Sequence, residues 1–225
     1  MAGKRKRVSV KGRGSKDGPK HGIYGSGILR ALKDCEASVS VVDGSLDQLN
    51  MMISNIVDKI VKHTAKCLKK GTRISLKGVI KAIKAYRKVC GQGVYCRAFD
   101  KIAADGGALF KKVQASKEHG KTWLAALKDH ASIMARLKLM KESIIKKVGK
   151  VPETKAIILL QCLAYEIICG IASLVKGKGR KRVTKKFMSK VFEKDKLSHK
   201  VDGRTGLGEC EESPKKRRVS KKSKK

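Results

Sequence analysis

His63 and Cys67 stand four positions apart in a helical pattern and could share a metal ion, but two ligands without a second pair make no site. A helix-surface histidine beside a half-buried cysteine is the commoner arrangement. Cys90 and Cys96 flank a Gly-containing turn at a spacing that fits neither a zinc knuckle nor a Cys-x-x-Cys redox motif. Cys162 and Cys169, seven apart, read as core packing. Seven cysteines is an odd number, and several sit inside helix patterns, so the expectation is reduced thiols in an intracellular protein. No phosphate loop, nucleophile elbow or pair of catalytic carboxylates occurs. Neither an enzyme, a metal nor a cofactor is expected. The abundant chemistry is cationic: two basic loops, 69–75 (KKGTRIS) and 178–184 (KGRKRVT), both end in Arg, an apolar residue and a hydroxyl.

The helices that must position these loops form one pattern written twice. Leu46, Leu49, Ile53, Ile56, Ile60 and Leu68 make an apolar stripe at helical spacing, and Ala156, Leu160, Leu163, Ile167, Ile171 and Leu174 make another. The inner positions of the two series differ by a constant shift of 107, and Arg73 and Arg182 by 109. Two extra loop residues account for the difference. A short helix follows each loop, with Val79, Ala82, Ile83 and Tyr86 answering Met188, Val191, Phe192 and, less closely, Leu197. The expected fold class is all-α, and neither unit can bury its stripe alone.

With 55 Lys plus Arg against 19 Asp plus Glu, the formal net charge is +36, which repels itself in a compact state unless a polyanion neutralises it. A nucleic acid is the natural counter-charge. Aromatic residues are only 4%, too few for the stacking platforms that read single strands, whereas neutralising a duplex backbone needs none. Residues 1–22, with Lys4, Arg5, Lys6 and Arg7, read as a basic disordered arm and not as a secretory leader. The stretch 204–225 is a second basic tail, in which Pro214, Lys215, Lys216, Arg217, Arg218 and Val219 have the form of a nuclear import signal. Residues 156–175 are long enough to span a membrane and carry one charge, Glu166. A carboxylate at mid-span costs roughly 2.5–3.5 kcal/mol on insertion scales. Basic flanks at both ends give no orientation, so a partner-covered core helix is the preferred reading and no membrane is expected.

The order of these segments resembles the core histones. Residues 28–33 (ILRALK) and 50–60 (NMMISNIVDKI) are similar to the first and second helices of histone 2B, and 99–113 (FDKIAADGGALFKKV) resembles the extra carboxy-terminal helix that marks that histone. Residues 135–140 (ARLKLM), 147–152 (KVGKVP), 163–168 (LAYEII) and 182–187 (RVTKKF) through Leu197 follow histone 2A in order. The resemblance covers about residues 23–116 and 131–203, with 117–130 as a linker in which Trp123, Leu124 and Leu127 suggest a docked helix. Two such units in one chain look like the doublet histones of amoeba-infecting large DNA viruses.

The resemblance implies two histone folds packed as an intramolecular handshake that wraps double-stranded DNA without sequence specificity. The implied partners are a histone 4/histone 3-type doublet or tetramer and a second copy of the chain in an octamer-like particle. The implied location is the host nucleus or viral factory and the virion, or chromatin if the chain is cellular. DNA contacts would fall to Thr72 and Arg73 near Lys147, to Lys181 and Arg182 near the 38–45 loop, and to Arg30 with Arg136, beside the arm residues Lys4 to Arg7. The family's acidic patch would be reduced to Asp105, Glu166 and Asp195. The stretch after Gly203 is not expected to dock as the histone 2A tail does. A histone-fold transcription subunit or RNA-associated basic protein is the alternative, and a membrane protein through 156–175 the third.

Overall fold

The structure, a computed structural model, describes residues 23–24, 27–42, 44–68, 72–90, 93–118, 120, 122, 125–126 and 137–194. Helices account for most of them. In chain order the elements are α1 (Gly27–Cys35), β1 (Ser40–Val41), α2 (Ser45–Lys66), α3 (Leu76–Val89), α4 (Val94–Asp105), α5 (Gly107–Glu118), α6 (Leu137–Val148), α7 (Thr154–Gly177), β2 (Arg182–Val183) and α8 (Lys185–Lys194).

The two stripes build the core. Leu49, Ile53, Ile56 and Ile60 of α2 and Leu160, Leu163, Ile167 and Ile171 of α7 are buried in one continuous apolar cluster. α7 is buried on nearly every side because α1, α3, α4 and α5, all from the first half of the chain, pack around it. α2 in turn carries α6 and α8 of the second half, so each half covers what the other exposes. Burial of apolar area is the main attraction between them. Among the described residues α7 is the one helix long and apolar enough to cross a membrane, and 72% of its most apolar window is buried inside the protein.

Two expectations are corrected here. The 99–113 segment is not one helix: α4 stops at Asp105, and Gly106 and the first residue of α5, Gly107, both take φ of 82°, a left-handed conformation natural to glycine. A Cβ at Gly106 would lie 2.5 Å from the Phe110 ring, so the turn also needs the missing side chain. The cysteines are not all reduced thiols. Cys35 is bonded to Cys169 and Cys90 to Cys96, with Cα atoms 5.2 and 5.9 Å apart, and Cys67 is also in a disulfide. Packing of α1 on α7 creates the first pair, which no local spacing announces. Cys162 stays a free core thiol. In the linker, Thr122 starts a turn by accepting from Ala125 N–H through its hydroxyl and from Ala126 N–H through its carbonyl, and Ala126 is fully buried. Trp123, Leu124 and Leu127 lie outside the described residues.

Candidate nucleic-acid interface

The repeated Arg-apolar-hydroxyl ending has a local physical cause. In 73–75, Arg73 is exposed, Ile74 is fully buried and Ser75 is the N-cap of α3, its hydroxyl accepting from Gly78 N–H at 3.1 Å. In 182–184, Arg182 is exposed, Val183 is fully buried and Thr184 accepts from Phe187 N–H at 3.2 Å at the head of α8. Extended backbone alternates faces, so the apolar residue anchors the loop and points its arginine outward. A hydroxyl N-cap is worth about 1 kcal/mol and fixes where the next helix starts.

Both loops are held by the opposite half. β1 pairs in parallel with β2, Ser40 opposite Arg182 and Val41 opposite Val183, with Ser40 N–H donating to the Lys181 carbonyl at 2.9 Å and Val42 N–H to that of Val183 at 3.1 Å. Ile74 forms a parallel bridge with Pro152: its N–H donates to the Val151 carbonyl at 3.0 Å, and its carbonyl accepts from Glu153 N–H at 2.9 Å. The pairing is reciprocal. The segment after each long helix joins the segment before the other, mainly through backbone groups, and the Lys181 and Arg182 side chains stay exposed.

The two ladders differ in charge. At the first, Lys178, Arg180, Lys181, Arg182, Lys185 and Lys186 are all exposed over nine positions that include no acid. Lys178 and Arg180 lie 5.6 Å from the centre of the Phe187 ring, close enough for cation–π attraction to organise them. The Lys185 side chain runs over Gly44, where a Cβ would sit 2.7 Å from Lys185 Cε. At the second, Thr72 and Arg73 are exposed, and Lys147 is ion-paired with Asp58 of α2. Lys150 lies two positions before Pro152, in the segment joined to Ile74. Glu153 is used internally, its carboxylate accepting from Leu76 N–H at 3.1 Å at the start of α3. Arg30 is exposed on α1 and belongs to neither ladder. Arg136, Lys4, Arg5, Lys6, Arg7, Asp195, Pro214, Lys215, Lys216, Arg217, Arg218 and Val219 lie outside the described residues.

The expected acidic surface is corrected at Glu166, while Asp105 stays exposed. Glu166 has a side chain only 4% exposed, so it is not open to an incoming arginine. Its carboxylate accepts from Lys101 Nζ at 2.9 Å and from Ala108 N–H at 3.3 Å, placing a negative charge at the head of α5, where the helix dipole favours it. Asp105 is paired with Lys111 at 2.5 Å and accepts from Gly107 N–H at 2.9 Å, and these bonds hold its carboxyl below the usual range. Sequence spacing had missed both roles. A lone carboxylate in an apolar run is the signal that would have found the first.

His63 and Cys67 do meet, Nε2 and Sγ 3.8 Å apart, but Cys67 is disulfide-bonded and no group of three metal-ligating residues occurs among the described residues. No protein-family model matches this sequence, and no curated protein matches it.

Proposed function

We propose that this chain is a fused pair of histone folds, histone 2B-like then histone 2A-like, which binds and bends double-stranded DNA without reading its sequence. One observation carries the reading: two reciprocal parallel ladders, each built from one loop of each half, present exposed arginines on anchored backbone. Exposed cations on hydrogen-bonded backbone suit contact with phosphates, which fixes register and carries no sequence information. Histone octamers wrap DNA through its backbone and its deformability, and it is the resemblance, not the geometry, that extends wrapping to this chain. On this reading the handshake packs α2 against α7 with a histone 4/histone 3-type partner and a second copy completing the particle, and the chain serves genome packaging in a nucleus, viral factory or virion.

The test is binding of the full chain to several unrelated duplexes across a salt series, with single-stranded RNA as competitor, followed by nuclease digestion with and without a histone 4/histone 3-type partner. Equal affinities, a steep salt slope and a protected duplex fragment are expected. Preference for one sequence, or displacement by RNA at equal nucleotide concentration, would reject this function.

A further inference from the structure

The Cys35 to Cys169 bond differs from the other described pair in what it connects. Cys90 and Cys96 are six positions apart and close a local turn, whereas Cys35 and Cys169 are separated by 134 residues and join the two halves across the linker. Both are only partly buried, so a small thiol can reach them. Cys162, on the same helix, is fully buried, and burial pushes its thiol far up from its ordinary range, so it takes no part.

The bond lies where it can control the first ladder. Cys35 is the last residue of α1, and the chain runs from it through Glu36 and the buried Val39 into β1. Glu36 reaches Lys176 of α7 at 2.7 Å, and its N–H donates to the Leu32 carbonyl at 2.8 Å. The ion pair is solvent-exposed and weak on its own. Ser40 and Val42, which donate the ladder's hydrogen bonds, follow within seven positions of Cys35.

We propose that Cys35 and Cys169 form a reversible redox clasp that locks the 36–42 segment and the β1–β2 ladder onto α7 when oxidised and releases them when reduced. In closing, each thiol gives up one proton, the two Sγ atoms bond, and two electrons pass to a small disulfide such as glutathione disulfide, which leaves as two thiols. Two equivalents of glutathione reverse the exchange. The clasp acts on the ladder whatever the ladder binds.

The test uses the full-length protein equilibrated in glutathione buffers, trapped by alkylation and mapped by mass spectrometry, with amide exchange followed in parallel. A linked peptide carrying Cys35 and Cys169 is expected under oxidising buffer. On reduction, exchange of the Ser40 and Val42 amides should rise about tenfold or more, while the Ile74 and Glu153 amides of the other ladder change far less. Cys35→Ala and Cys169→Ala should each show the fast exchange in either buffer. Absence of the linked peptide under oxidising buffer, equal exchange in the two states, or a redox response that survives in both variants would overturn the clasp.

Discussion

Replacing Lys181 and Arg182 together by Ala isolates the charge of the first ladder from its architecture. Both side chains are exposed, while the ladder is made by the Lys181 carbonyl, the Val183 carbonyl and the buried Val183 side chain, all of which the double variant keeps. The fold should therefore survive. Each phosphate contact contributes about 0.9 to the slope of log affinity against log salt, so losing two lowers the slope by roughly 1.8. At about 0.15 M salt the same counterion term makes each contact worth about fivefold, or roughly thirtyfold for the pair, near 2 kcal/mol. Fluorescence anisotropy on two unrelated duplexes from low to moderate salt measures both quantities. Arg73→Ala, at the less basic ladder, should lower the slope by only about 0.9. Unchanged slopes, or a loss confined to one duplex sequence, would refute backbone neutralisation as the role of these residues.

Asp58→Asn should free the Lys147 amine for DNA, raising the salt slope by about 0.9, and an unchanged slope in the same titration would place Lys147 off the DNA path. Glu166→Ala leaves the Ala108 N–H without its acceptor at the head of α5 while Lys101, 61% exposed, turns to water; a loss of about 1–3 kcal/mol in urea unfolding is expected, and a neutral result would remove Glu166 as the anchor of α5. His63, edge-on to Tyr86, is held below its ordinary pKa, first by burial and then by Lys66. Its neutral form is favoured on folding, so its contribution is intact above the unfolded value of about 6.5 and is lost as pH falls below it. His63→Asn should flatten the stability profile between about pH 7 and 5, and a profile as steep as the parent's would show that His63 is not responsible. Proteolysis within 117–130 should leave the halves together on gel filtration even in reducing buffer, because packing around α7 joins them; separation would mean that the tether, not the packing, holds the pair.

The helical stripes were legible because period alone determines which side chains face inward. Leu49, Ile53, Ile56 and Ile60 of α2 and Ala156, Leu160, Leu163, Ile167 and Ile171 of α7 are buried as the spacings predict, whereas Leu46, Leu68 and Leu174 are only partly buried and α7 is covered on its other faces as well. The loop endings were legible as a repeat, though their cause, an anchoring residue followed by an N-cap, needed the backbone. The α4–α5 break carried a local signal in Asp105-Gly106-Gly107, a common helix-stop composition that the likeness to a single helix overrode. Spacing assigns Glu166 to a helix face but does not say what covers that face, and the head of α5 lies against it. The Cys35 and Cys169 pair and the Lys147 to Asp58 contact depend on tertiary packing over 134 and 89 positions, which no pattern within either segment encodes.

The reciprocal ladders also set the order in which this chain can become itself. Ser40 must wait for Lys181, 141 residues later, and Leu76 for Glu153, 77 later, while the groove formed by α1, α3, α4 and α5 stays open until α7 has been made. During synthesis the first half emerges with its apolar faces uncovered and its basic loops unpaired, a state prone to self-association. Parallel pairings this distant bring loop-closure cost before any reward, which makes acquisition of the native state slow compared with that of a simple helical bundle. Carrying both halves on one polypeptide eases that difficulty in kinetic terms: the completing half arrives tethered, at a high effective concentration, before the exposed half has time to find a wrong partner.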